Sequence, residues 1–419
     1  MPSVDSPDQA QPVQVTCCIA GGGPAGMMLG FLLARAGVET LVLEKHKDFL
    51  RDFRGDTVHP STLDVFAELG LLEDFLKLPH QELREARAKV GDVVIRVGDF
   101  SHTPTRCQFI AFMPQWDLLN FLAERGRRYP AFHLRMEAEV TDLVEEKGAV
   151  VGVRANTPQG PLMVGAKLVI GADGRHSTVR ARAQLKVKDL GSPIDVFWMR
   201  LSKKASDATQ GLGFFNLGRI LVMLDRGDYW QCAFVIRKGQ AEEIRARGLA
   251  AFGEDIAQIA PFLRDRVGEL RDWSQVSLLT VLVDRLEQWW RPGLLCIGDS
   301  AHAMSPIGGV GINLAIQDAV AAANILARPL QQGTLSPRDL AEVERRRMFP
   351  TRVTQAMQLV VQERVLSRVL GSTQPMSPPW IVRMFNRLGW LRRIPARIIG
   401  VGVRPEHVRT PEAQLTSSP

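Results

Sequence analysis

"VTCCIAGGGPAG", residues 15 to 26, decides the fold: an apolar run, three consecutive glycines, and a proline that opens a second apolar run. Val15 to Ala20 read as a strand, Pro24 to Ala36 as a helix and Thr40 to Leu43 as another strand, so the first 45 residues predict a βαβ unit. The glycines of the turn stand as Gly21-x-Gly23-x-x-Gly26. The first permits a tight turn, the second lets a pyrophosphate approach the backbone, and the third lets helix pack on strand. Glu44 closes the second strand 18 residues after Gly26, where an acid accepts hydrogen bonds from an adenosine ribose. Strand, helix and spaced acid together favour a nucleotide site over a merely structural glycine turn.

The surrounding 419 residues, 45% hydrophobic and 23% charged, are ample for two or three packed domains of an ordinary soluble protein. A formal net charge of +7 suggests anionic partners without choosing among nucleotides, acidic substrates and a membrane surface. The five cysteines form no CxxC pair, which argues for a reducing compartment, no structural disulfide and no bound metal. Residues 1 to 13 lack the basic start and apolar core of a signal peptide and read as a disordered tail. No apolar run reaches the roughly 18 residues needed to span a bilayer. These features predict a cytoplasmic protein.

Two further glycine–aspartate clusters follow apolar runs, "GADGRHSTVR" at 171–180 and "GDSAHAMSPIGGVGIN" at 298–313. Each Asp therefore sits at the carboxyl end of an expected strand, where open α/β sheets bind ligands. The second cluster ends in glycines that open a helix, and a helix N-terminus offers backbone N–H groups to an electron-rich ring or a phosphate. Ile312, Ala315, Ile316, Ala319, Ala323 and Leu326 continue it at helical spacing. From about 190 to 236, "VFWMRL", "GFFNLG", "ILVML" and "YWQCAFVI" alternate between Gly and Asp turns and predict a separate sheet.

This trio of motifs, spread over roughly residues 14 to 330, resembles the FAD-dependent aromatic hydroxylases built like para-hydroxybenzoate hydroxylase. The resemblance implies an α/β fold: a Rossmann-like FAD-binding domain of the GR2 type, an inserted β-sheet substrate domain and a C-terminal helical region. It divides the chain into a tail (1–13), FAD-binding segments (14–80, 107–185 and 286–330), substrate-domain segments (81–106 and 186–285), a helical region (331–405) and a second tail (406–419). It implies that Gly21, Gly23, Pro24, Ala25, Gly26, Glu44 and Lys45 hold the ADP half of FAD. Asp299, with Gly298, would hold the ribityl chain, and Pro306, Gly308, Gly311, Ile312 and Asn313 would lie against the isoalloxazine. "DFRGD" is similar to the family's arginine-bearing loop, making Arg54 an FAD contact, and "MPQWDLL" to its helix start, making Gln115 another. "GADG" matches the segment that serves both FAD and NAD(P)H, with Asp173 flanked by Arg175 and Arg180. One cradle suffices in such a protein, because FAD occupies it and NAD(P)H docks without a Rossmann domain of its own.

The function this implies is a monooxygenase that uses NAD(P)H and O2, by way of a flavin C4a-hydroperoxide, to hydroxylate or epoxidise an apolar aromatic or polycyclic small molecule. The partners expected are that substrate and O2, with no nucleic acid. The alternative is an FAD-dependent reductase or dehydrogenase of an isoprenoid-type substrate that does not use O2. A halogenase would carry W-x-W-x-I-P, whereas "WLRRIP" here lacks the second Trp. No catalytic residue or general base is assignable. Pocket candidates are His59, Phe214, Asn216, Tyr229 and Pro306, the first of which precedes Pro60 at an expected helix start. His302 reads as a residue that packs and hydrogen-bonds beside the flavin. Between Glu363 and Glu406 stand eight Arg and no acid; Trp380, Ile381, Met384, Phe385 and Leu388 share a helical face there. That face suits either an anionic membrane surface or a helical cap on the FAD domain, its arginines solvated.

Overall fold

The computed structural model describes residues 13–50, 57–207, 212–372, 374 and 388–413. Arg54, the N-terminal tail up to residue 12, the helical face from Trp380 to Phe385 and the last six residues lie outside the described residues.

Four buried parallel strands form the centre of one sheet, in the order Leu294–Cys296, Gly160–Gly171, Val13–Ala20, Thr40–Leu43, with Phe132–Arg135 beyond. Cys17 to Ala20, Leu168 to Ile170 and Leu294 to Ile297 are all fully buried. Such unbroken apolar runs are what a sheet covered on both faces requires. Glu139–Glu146 and Ala149–Thr157 add an antiparallel meander to Gly160–Gly171. Helix Pro24–Arg35 is buried from Ala25 to Ala34, wedged between this sheet and helix Val310–Gln332. Small side chains on the second helix, Ala315, Ala319, Ala322 and Ala323, keep the spacing tight. Over its length this helix is apolar enough to cross a membrane, contrary to the sequence reading, yet 72% of that stretch is buried inside the molecule. It is the core helix of the fold, and a helix apolar all round is buried.

The second sheet has seven strands, ordered Ser277–Leu279, Ile194–Ser202, Tyr229–Arg237, Arg219–Asp225, Leu212–Asn216, Glu85–Val90, Val93–Asp99. A parallel pairing of Leu212–Asn216 with Glu85–Val90 ties the early hairpin to the later strands. One face packs beneath helices Ala241–Ala246 and Leu249–Ile259 through Phe197, Phe214, Phe234 and Phe252. The other face, with Val196, Phe215, Ile220 and Val235, meets Ile307 and the helical segment around Leu366 and Val369. Helix Pro337–Val361 crosses behind the core helix and continues through a π-turn at Gln362–Leu366.

Candidate functional site

The strand register brings the three glycine motifs to one level. Ala20 pairs with Leu43 and with Gly171, and Gly171 pairs with Cys296. The segments that follow, Gly21–Gly26, Glu44, Ala172–Gly174 and Gly298–Asp299, therefore leave the sheet side by side at its carboxyl edge, where such sheets bind ligands.

Each glycine of the first motif has its own cause. Gly21 has φ +106°, and a Cβ there would overlap the Ala172 carbonyl. A Cβ on Gly26 would overlap the Gly21 carbonyl, so its absence lets helix seat on strand. Gly23 differs, because a Cβ there would meet nothing among the described residues within 4 Å. It is the N-cap of Pro24–Arg35, no side chain caps that helix, and no acid occupies its first turn. Open space beside uncapped N–H groups is the shape a pyrophosphate needs.

Glu44 is 2% exposed. Its Oε2 accepts from the Gly22 amide at 2.8 Å and its Oε1 from the His46 amide at 3.0 Å, so it also pins the cradle. Lys45 projects into solvent. Asp173 accepts the Val179 amide at 3.0 Å through Oδ2, whereas its buried Oδ1 has no hydrogen-bond partner among the described residues. Burial pushes its carboxyl above the ordinary range. Arg175 reaches across to Asp299 at 3.3 Å, joining the second and third motifs. Arg180 instead pairs with Asp284 at 3.3 Å, both largely buried, and is a clamp within the fold. Gly298, φ +61°, is wedged against Ala25 and Ala315. Gln115 stands half-buried at the first turn of helix Gln115–Gly126.

Beyond Pro306 the chain turns through Gly308 and Gly309, at φ +76° and +63°, into the core helix. Gly311 has room around it, with only Met304 at 4.0 Å from a Cβ placed there. Ile312 is 9% exposed. Asn313 has its side chain fully engaged: Oδ1 accepts from the His59 amide and the Thr62 hydroxyl, both at 2.8 Å, and Nδ2 donates to the carbonyls of Thr57 and Gly309. Its amide staples the Thr57–Thr62 segment to the core helix, which leaves only its backbone for a ring. An open cradle at Gly23, an orphaned acid oxygen at Asp173 and a glycine turn opening a helix all fit an extended dinucleotide.

The pocket candidates divide. His59 is 1% exposed, occupies the N-cap position of helix Pro60–Glu68 and lines an apolar cavity of about 210 Å3 against Ile307 and Gly308. Leu314 and Met357 line it too, and residues 395–405 close it. Phe214, Asn216, Tyr229 and Pro306 do not line this cavity. Strand alternation explains Phe214 and Asn216: they share the face that packs beneath the helices, Phe214 against Phe262, while Phe215 faces Ile307. Tyr229 lies under the guanidinium of Arg200, 4.8 Å from its ring centre.

Burial pushes the His59 imidazole down to about 4, against its Nδ1 bond to the Ile399 carbonyl. Unfolded, it titrates near its ordinary 6.5, so between these values the unfolded chain holds more protons. Stability present above pH 6.5 is therefore lost as pH falls towards 4, by roughly 3 kcal/mol. Denaturant titrations across pH 4–7 should show His59→Asn losing this part of the slope; an unchanged slope would refute it.

The sequence reading missed a buried charge chain. His302 Nε2 lies 2.6 Å from Asp318 Oδ2, which also accepts the Gly298 amide at 3.1 Å. Arg347 Nε donates to Asp318 Oδ1 at 2.8 Å and its Nη1 reaches Glu406 at 3.5 Å. None of the four side chains exceeds 1% exposure. Asp318 standing among the alanines of the core helix was the available signal, since a buried acid is paired.

Comparisons with known proteins agree with this geometry. A family model described as an FAD binding domain matches residues 14–357. The 6-methylpretetramide 4-monooxygenase of Streptomyces rimosus is 34% identical over 383 residues, covering 90% of this chain and 91% of that protein. The 12-dehydrotetracycline 5-monooxygenase/anhydrotetracycline 6-monooxygenase of Streptomyces rimosus subsp. rimosus is 29% identical, covering 78% of this chain and 66% of that protein. The crystal structure of p-nitrophenol 4-monooxygenase PnpA from Pseudomonas putida DLL-E4 superposes with a TM-score of 0.74 at 20% identity, covering 94% of this chain and 99% of that one.

Proposed function

The chain belongs to the FAD binding domain family of FAD-dependent monooxygenases, and on that premise we propose that its substrate is an apolar aromatic or polycyclic molecule. NAD(P)H would supply two electrons: one oxygen atom of O2 enters a C–H or C=C bond of the substrate, and the other leaves as water. The observation that carries this reading is the common level of the four strand ends, with Gly23 open between them. Bound FAD supplies the redox and oxygen chemistry. The protein supplies placement and exclusion of water. The pyrophosphate would rest on Gly23 and the N-terminus of Pro24–Arg35, with Glu44 towards the ribose and Asp299 towards the ribityl chain. The Gly308–Gly311 turn leaves room for the ring, and the N-terminus of the core helix favours negative charge near it.

The apolar cavity beside Ile307 is the place for the substrate's ring system. At about 210 Å3 it is smaller than a typical ligand pocket, so it takes one end of a polycycle. Burial makes the His59 imidazole on its wall a weak base, so the substrate is one already electron-rich. The test is turnover of aromatic and isoprenoid compounds under labelled oxygen gas, read by mass spectrometry. One labelled atom in the product is expected; anaerobic turnover without label would replace this reading by the reductase. Five buried, unpaired cysteines fit a reducing compartment such as the cytoplasm.

The exposed C-terminal face suits an anionic lipid surface. Helix Arg393–Gly400 buries Ala396 and Gly400 against the fold, whereas Trp390 and Ile394 are 59% and 49% exposed beside Arg393 and Arg397. Each basic residue near such a surface contributes about 1 kcal/mol, so salt should weaken binding steeply. Flotation with anionic but not neutral vesicles is expected, reduced in Trp390→Ser; no flotation with either leaves the cap.

A further inference from the structure

Residues 302–305, between Asp299 and the Gly308 turn within the third glycine motif, belong to neither helix nor strand. Backbone polar groups buried in such a segment still require partners. Here three glutamines on one helical face engage the segment: Gln355, Gln358 and Gln362, spaced i, i+3 and i+7 and 0%, 4% and 0% exposed. Gln355 donates to the carbonyls of Asp284 at 2.7 Å and Ala303 at 3.1 Å, and its own carbonyl accepts from Arg285. Gln358 accepts the Ser305 amide at 3.1 Å and donates to the carbonyls of Ser305 and Ile307, both at 2.9 Å. Gln362 donates to the Ser305 hydroxyl at 2.5 Å. The helix widens into its π-turn at Gln362, a local feature frequent at functional sites.

A carboxamide carries a donor and an acceptor in the arrangement of a peptide group. Gln358 thus does for Ser305–Ile307 what a neighbouring strand would do. Resting on the FAD reading above, we propose that Gln358, aided by Gln362, is a positioning residue for the flavin: it fixes Pro306–Gly308 at the distance and polarity the isoalloxazine meets. It transfers no proton, and it also forms part of the wall of the cavity assigned above to the substrate. Its position on the helix that also lines the cavity couples ring placement to the packing of the C-terminal region.

The experiment uses the FAD-loaded protein and two variants. Gln358→Met keeps the volume and removes three hydrogen bonds; Gln362→Met removes one. The readouts are the visible absorption spectrum of bound FAD and its reduction potential, neither of which a merely structural contact would move. Gln358→Met is expected to hold FAD with a shifted spectrum and potential and at least several-fold weaker affinity, and Gln362→Met to shift the same way by less. A folded Gln358→Met with wild-type spectrum and potential overturns the proposal. Should it fail to fold, an unshifted Gln362→Met does the same. A wild-type protein that binds no FAD would instead remove the family reading on which this rests.

Discussion

Gly23→Val protein is expected to purify colourless, and the wild type yellow with one FAD per chain. The structure gives the reason in terms of space. Among the described residues nothing lies within 4 Å of a Cβ at Gly23, so a side chain branches into open space, and the backbone, whose φ there is −76°, accepts it without strain. The side chain would instead fill the volume beside the uncapped N–H groups at which the pyrophosphate must arrive. Stability should consequently remain within about 1 kcal/mol of wild type, as for surface substitutions generally, while FAD affinity falls by orders of magnitude. Gly21→Val is the contrasting variant. Its φ of +106° and the Ala172 carbonyl forbid a side chain, so it should lose the fold along with the cofactor. Thermal melts and the absorbance ratio of flavin to protein separate the two effects. A yellow Gly23→Val with full occupancy would sink the assignment of this turn.

That contrast marks what the chain's own pattern discloses. Glycine spacing, the strand before it and the acid after it are local, so the cradle and the two Asp-bearing strand ends are legible in the sequence alone. Alternation in "GFFNLG" discloses two faces but not which one meets the turn at Ile307, because that depends on where helix Leu249–Ile259 packs. Phe214 and Phe215 are chemically identical, and only tertiary packing separates them. Asn313 is legible as a residue of the third motif, yet its carboxamide is consumed by Thr57, His59 and Thr62, some 250 positions earlier in the chain. The cavity is illegible for the same reason: its closing wall, residues 395–405, returns from the far end of the chain. Glutamines 355, 358 and 362 share a helical face, but their spacing does not reveal that a loop without secondary structure lies opposite.

Arg347→Met is expected to cost the protein about 3–5 kcal/mol, because it removes one member of a buried ion pair and leaves the other charged in place. Asp318 and Arg347 are 0% and 1% exposed at the side chain, and Glu406 beyond them is 1% exposed. Burial pushes the Asp318 carboxyl up, but His302 and Arg347 more than offset it and hold it below the ordinary carboxylate range. Its ionised form therefore stabilises the fold above the unfolded carboxylate value near 4, and that contribution is lost as pH falls below it. Without Arg347 the balance tips towards burial, and Asp318 gains a proton more readily than before. The deficit of the variant should consequently shrink between neutral pH and pH 4. Asp318→Leu alone strands Arg347 and is costly too, yet the double variant should lose clearly less than the sum, since each single change already breaks the contact they share. Because Asp318 also accepts the Gly298 amide, FAD should bind more weakly in both single variants even where they stay folded. Urea midpoints at pH 7 and pH 4.5, with FAD titrations at each, measure all of this. Additive losses below 1 kcal/mol would mean that the chain from His302 to Glu406 is no more than solvated surface charge in its energetics, and that Gly298 is held by the glycine packing against Ala25 and Ala315 alone.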